Sequence, residues 1–245
     1  MFSKEESFTT RMRYETRKIH SVSDALVNAK FALSLKDPSV WGGGLFVFYH
    51  IFAYLEDAKD KLNVPELKKI FVDPVMERKN EFEVDLAEYL GEDWSLLPKS
   101  PELENYLQHL KNLERDKPIL LLAYIYHLYL GMLSGGQILA KKRNLFGEAD
   151  QEKPRKYQDR VTCFGNVDIG ELKKKMKQAM NEIAENMSED EKLEFIEESN
   201  HVFIMNNLVV NSIQGQSQII NRILYKSSLV LLFVVGVTIA YKMVR

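Results

Sequence analysis

The residues with the clearest chemical potential are His20 and Asp24, four apart in the stretch ETRKIHSVSDA. On a helix that spacing stacks the two side chains one turn apart. An imidazole that ligates a metal commonly donates its other ring N–H to a carboxylate, which fixes its tautomer and orientation. Asp24 could serve His20 in that way. Arg13, Thr16, Arg17, His20, Asp24 and Val27 recur at steps of three and four, so they share one face. Arg13 and Arg17 could therefore meet anionic groups on one ligand. The same pattern also suits a solvent-facing basic stripe with an ordinary histidine. His50 and His127 are rival ligands. His50 lies in an aromatic run beside Tyr49, as a core or rim histidine would, and His127 precedes Gly131 by one turn. Cys163, in a polar stretch, has little claim as a thiolate ligand.

A second cluster could act through missing side chains. Leu120 to Gln137 reads LLLAYIYHLYLGMLSGGQ. Its apolar and aromatic first part suits a buried helix, with Pro118 near the first turn. Gly131, Gly135 and Gly136 then follow within six residues. Each glycine inside a helix costs about 1 kcal/mol relative to alanine. Two reasons could justify them: a bend, or the close approach of something to the backbone. Gly131 and Gly135 lie on one face, where a flat ligand would meet main chain instead of side chains. A kinked core helix packed on a neighbour is the plainer alternative.

The elements that must position these residues read as helices. Thr9 or Thr10 starts one that runs to about Leu35. Gly42 to Gly44 predict a break, and Leu45 to Lys61 a second helix. Pro74 and Pro98 bracket a third over Val75 to Leu90. Pro101 to Arg115 is a fourth, and the glycine-bearing stretch follows it. Lys141 to Val167 is polar, with Gly147, Pro154 and Gly165, and predicts a loop or surface insertion. Ile169 to Asn186 and Ser188 to Ser212 are two further helices. Ser188 and Glu191 have the capping-box spacing that starts the second of them. With no sustained alternating pattern, the expected class is all-α.

The whole chain of 245 residues has one cysteine, so an internal disulfide framework is excluded and a reducing compartment is expected. A net charge of −2 gives no argument for nucleic acid as a partner. The charged N-terminus does not read as a secretory signal. Ser227 to Tyr241 is uncharged and flanked by Lys226 and Lys242. Fifteen helical residues span about 22 Å, short of a hydrocarbon core of roughly 30 Å. Snorkelling lysines and local thinning can absorb that mismatch. The reading is a cytosolic domain over residues 1–215, a linker over 216–226 and a C-terminal membrane anchor over 227–241.

At these residues the chain resembles the heme oxygenases. YLGMLSGGQ, preceded by LLLAYIY, is similar to their distal helix, and ETRKIHSVSDA to their proximal helix. FYHIFAYLE and FIEESNHVFIMN match further segments, so the resemblance covers nearly the whole soluble part. Members of the animal type also end in a membrane tail, which implies the endoplasmic reticulum membrane with the domain on its cytosolic face, or the mitochondrial outer membrane. The resemblance implies a heme oxygenase-like multi-helix bundle in which heme is both cofactor and substrate. It further implies cleavage of heme to biliverdin, with release of Fe2+ and CO, using O2 and electrons from NADPH through a separate reductase, NADPH-cytochrome P450 reductase. His20 would be the axial ligand of the heme iron, with Asp24 behind it. Gly131 and Gly135 would cross the other face. Arg13, Arg17, Lys173 and Lys177 would surround the propionates, Tyr126 would line the pocket near them, and Phe203 would pack on the porphyrin edge. The two lysines sit in the run KKKMK, which also suits a solvated face.

Three departures alter that expectation. Met132 stands where the family usually has a distal aspartate, Leu128 where it has an arginine, and Phe52 where it has a tyrosine. Removing one member of a buried polar network leaves its partners unpaired at about 1–3 kcal/mol each, whereas replacing all of them with apolar groups need not destabilise the fold. The expectation is slow turnover with relaxed choice among the meso carbons. A heme-binding buffer, carrier or sensor without oxygenase activity is the alternative. A tail-anchored helical interaction protein without heme is a third.

Overall fold

A helix that is apolar on every side is stable only when other elements surround it. The run after Pro118 meets that condition. The computed structural model describes residues 7–34, 38–148 and 159–213. Its helices, in order, are α1 (Phe8–Ser34), α2 (Pro38–Lys61), α3 (Pro65–Lys69), α4 (Lys79–Leu90), α5 (Pro101–Asp116), α6 (Leu121–Gly131), α7 (Gln137–Glu148), α8 (Ile169–Ala184) and α9 (Glu189–Ser212). No strand occurs among the described residues, as the sequence predicts for an all-α protein. Leu121 to Tyr126 of α6 are all buried. The helical run Pro118–Arg143 is apolar enough to cross a membrane by composition, but much of it is enclosed by the fold, as in a core helix.

Helices α2, α3, α5, α8 and α9 all pack against α6. Helix α1 lies against α9, α2 and α8. Helices α1 and α6 thus share α8 and α9 as neighbours without an extensive contact of their own. Helices α8 and α9 therefore stand beside both α1, which carries His20, and α6, which leads into the glycines.

Local signals fix several ends. Ser188 and Glu191 form the predicted capping box, each satisfying a free backbone N–H of the other. Asp168 caps α8 by accepting from Gly170 and Glu171. Ser100 caps α5, with Pro101 in its first turn.

Three sequence expectations are corrected. The glycines at 42–44 do not break a helix, because α2 runs through them. A Cβ on Gly42 would stand 2.7 Å from a Leu90 methyl, so this glycine serves the close approach of α4. The third helix begins at Lys79 instead of Val75, and Pro74–Met76 forms a separate 3-10 turn capped by Asp73. The polar stretch after Lys141 is not a loop throughout. Helix α7 continues to Glu148, and the side chains of Arg143, Asp159, Val161 and Phe164 are buried. The guanidinium of Arg143 lies over Trp41 and Tyr89 and faces Asp159, so its charge has a lining that the sequence does not announce. Residues 149–158, the proposed linker at 216–226 and the apolar tail at 227–241 lie outside the described residues.

Candidate functional site

Helix α1 presents the predicted face, but its two ends differ. Thr16 turns inward, where its hydroxyl bonds the Met12 carbonyl at 2.9 Å. His20 is half open to solvent, with its side chain 55% exposed. Its Nδ1 lies 3.1 Å from Asp24 Oδ2. This is the predicted imidazole–carboxylate pair, and it leaves Nε2 as the atom free for a ligand. The ring meets Phe203 edge-on, with centroids 5.2 Å apart.

Phe203, on α9, also meets the ring of His127 at 5.0 Å. One phenyl ring therefore links the His20 face of α1 to the face of α6 that carries His127 and, a turn later, Gly131. His127 Nε2 is buried without a hydrogen-bond partner among the described residues. Burial, with a smaller push from His20, lowers its pKa to about 3, so the ring is neutral at ordinary pH. His50 behaves as the rim histidine the sequence predicts. It lies edge-on to Phe46 and Tyr49, and burial, then the charge of Lys99, lowers its pKa to about 4.

The glycine cluster ends α6 in a π turn over Met132–Gly136 before α7 resumes. Such wide turns interrupt helices mostly where a site requires them. The predicted departure from regular α-helix is thus present in this form. Neither Gly131 nor Gly135 has a positive φ, which among the described residues is confined to Gly91 and Gly165. A Cβ built on either would meet nothing within 4 Å. The backbone conformation does not ask for glycine at these two positions, and neither does any neighbouring chain segment. Gly42 is the contrast, since its hydrogen is needed by Leu90. Open space in front of bare main chain is what a flat ring needs in order to lie close.

The three residues that stand where the family has polar ones lie in or against the apolar core. Phe52 is 2% exposed and Leu128 6%, and Met132 packs partly buried against the same core. Phe52 lies against Tyr129 and Phe82 at 4.7 and 5.2 Å. The same core holds Glu56, whose carboxylate accepts from the Tyr129 hydroxyl at 2.6 Å and from the Arg78 backbone N–H at 2.7 Å. Sequence reasoning missed this network. Its signal was a carboxylate in an otherwise apolar helix, FYHIFAYLE.

The residues expected to meet anionic groups fall into two groups. Tyr126 is buried, and its phenol is pushed up by burial while a hydrogen bond with the Thr9 side chain and the charge of Arg13 act the other way. Arg13 is thus near enough for its charge to be felt at the Tyr126 phenol. Lys173 and Lys177 lie on α8, which packs on both α1 and α6. No close contact joins these lysines to Arg13 or Arg17. None of the four cations takes part in an ion pair among the described residues, although Arg11, Lys69, Lys79, Lys117, Lys174 and Lys192 do. Arg17 lies over the ring of Tyr14. Cations without a carboxylate partner suit a ligand that brings carboxylates.

The fold is an all-α bundle that sets the His20–Asp24 pair of α1 and the bare glycines that follow α6 on elements sharing α8 and α9 as neighbours. The comparisons with known proteins agree with that class. The heme oxygenase family profile matches residues 6–212, and the chain belongs to the heme oxygenase family. It is 29% identical over 142 residues to human heme oxygenase 1, an alignment that takes in 56% of this chain and 48% of that protein. The match therefore spans about half the length of that relative. Among solved structures, heme oxygenase 2 of Chlamydomonas reinhardtii, without heme, superposes with a TM-score of 0.76 at 29% identity, covering 85% of this chain and 98% of that one. Heme oxygenase-1 of the cyanobacterium Synechocystis, in complex with heme, superposes with a TM-score of 0.74 over 91% of this chain and 99% of that one. At 24% identity, the latter likeness speaks for the fold alone.

Proposed function

We propose that the protein is a heme oxygenase, an oxidoreductase that cleaves heme to biliverdin with release of Fe2+ and CO. The observation that carries this reading is the pair Gly131 and Gly135, which no feature of the fold requires and in front of which there is open space. When bound, heme supplies both the iron at which dioxygen reacts and the ring that is oxidised.

In this reading His20 would hold the iron through Nε2, with Asp24 orienting the imidazole from its Nδ1 side. Gly131 and Gly135 let the main chain of the opposite helix approach the ring, so access to the open face is narrow. Arg13, Arg17, Lys173 and Lys177 hold the propionates, with Tyr126 beside Arg13. Phe203 packs on the ring edge. Phe52, Leu128 and Met132, apolar where the family has polar residues, would offer no proton-carrying group on the distal side. Proton delivery is therefore undirected, which predicts slow turnover and a mixture of biliverdin isomers. Electrons come from NADPH through a separate reductase of the NADPH-cytochrome P450 reductase type. The apolar segment 227–241, after the linker 216–226, anchors the chain as an animal-type member in the endoplasmic reticulum membrane with residues 1–215 in the cytosol. The mitochondrial outer membrane is the other compartment to which such a short, lysine-flanked segment would be suited.

The apolar distal wall also favours a second reading, a heme buffer, carrier or sensor. One incubation separates the two: the hemin complex with reductase, NADPH and O2, followed by the Soret band, CO release and chromatography of the biliverdin isomers. Mixed isomers formed slowly, with CO, are expected. A Soret band that persists without CO or biliverdin would leave only the second reading. A single isomer formed rapidly would contradict the role given to the apolar wall.

A further inference from the structure

Away from the heme face, α5 and α9 bring together a side-chain cluster that the proposed reaction does not use. His109 Nε2, on α5, lies 2.8 Å from Glu198 Oε1, on α9. One turn along α9, His201 Nδ1 lies 3.8 Å from the same oxygen. The three ligand atoms lie within 4.8 Å of one another, and the two imidazole centroids are 4.8 Å apart. An interhelical ion pair would account for His109 and Glu198. A second imidazole turned toward the same carboxylate oxygen adds a third donor to that interhelical pair.

We propose that His109, Glu198 and His201 form a mononuclear site for a divalent transition-metal ion of the zinc or ferrous class. Two imidazoles and one carboxylate suit such ions, whereas calcium and magnesium prefer oxygen ligands throughout. Donor atoms held tetrahedrally at about 2.0–2.2 Å from an ion stand roughly 3.3–3.5 Å apart. The separations of 2.8 and 3.8 Å bracket that value and the third pair lies within 4.8 Å, so side-chain rotation would set all three donors around an ion. The spacing of Glu198 and His201, three apart on one helix, is one that metal-binding helical bundles use.

The supporting shell is also in place. The buried Tyr124 donates its hydroxyl to Glu198 Oε1 at 2.6 Å, which fixes the carboxylate. His109 and Glu198 are mostly enclosed, with side chains 24% and 12% exposed, while His201 faces solvent at 45%. Three protein ligands leave the remaining coordination positions open on the His201 side, so the ion exchanges with solvent. Fe2+ released from heme is one source of such an ion. That part of the inference rests on the proposed function, whereas zinc binding does not.

The test uses the heme-free, metal-depleted full chain, titrated with Zn2+ by calorimetry, with Co2+ by visible absorption, and with Fe2+ under anaerobic conditions. One equivalent of Zn2+ should bind, and H109Q and H201Q should each weaken it at least tenfold, while H50Q leaves it unchanged. Because His201 lies at the exposed end, H201Q should fold even if H109Q does not, as far-UV circular dichroism will show. Absence of binding, or binding unaltered in a folded H201Q, would overturn the site. Zinc binding at these ligands without Fe2+ binding would retain the site and overturn the capture of released iron.

Discussion

Replacing Gly131 separates what the fold needs from what the ligand needs. Gly131 has φ −59° and ψ −46°, an ordinary helical conformation open to any residue. A methyl group at its Cα would meet nothing within 4 Å. Alanine should therefore stabilise the heme-free protein by about 0.5–1 kcal/mol, through helix propensity and a less flexible unfolded chain. For a chain of this size that raises the Tm by about 1–4 °C. The same position faces the proposed ring, so a side chain there must displace it. G131L should weaken hemin binding at least tenfold, about 1.4 kcal/mol, while the heme-free protein stays folded. Differential scanning calorimetry of the heme-free variants and Soret titration with hemin measure the two effects. If G131A lowers the Tm, the glycine serves the fold. If G131L binds hemin as tightly as the parent, no ring lies against this helix.

Other perturbations probe separate parts of the site. H20A should alter axial ligation of the hemin complex, seen as a changed ferric spectrum by absorption and electron paramagnetic resonance, and an unchanged spectrum would assign the iron to another residue. His127 takes a proton in the unfolded chain below about pH 6.5 but in the fold only near 3. Its burial thus removes stability as pH falls from 6.5 toward 3, by up to roughly 4–5 kcal/mol, and contributes no slope above 6.5. H127L should flatten that acid limb in denaturant titrations run at several pH values. E56A strands the Tyr129 hydroxyl and the backbone N–H of Arg78. The expected cost is about 2–5 kcal/mol, read as a lower urea midpoint with little change in slope.

Much of the fold was legible because periodicity and capping are local. The capping box at Ser188, the proline at the start of α5 and the all-round apolar α6 each act within a few residues of sequence. The errors arose where tertiary packing decides. Gly42 reads as a breaker until Leu90 of α4 is seen against it. Arg143 and Asp159 read as loop residues until Trp41 and Tyr89 are seen to enclose the guanidinium. The site divides the same way. His20 and Asp24 were visible from their spacing on one helix, and so were the three glycines. Phe203 bridging His20 and His127 could not be derived from periodicity, because it joins α1, α6 and α9. The cluster of His109, Glu198 and His201 was missed for the same reason. Only the pair on α9 had a local spacing, and it gains meaning from α5.

The central claim is that heme lies between the His20 imidazole and the bare backbone at Gly131 and Gly135. A crystal structure of the hemin complex tests it most directly. The account predicts iron bonded to His20 Nε2, with the porphyrin face against the main chain of both glycines. Iron bonded to His127, or a porphyrin seated elsewhere on the molecule, would contradict it.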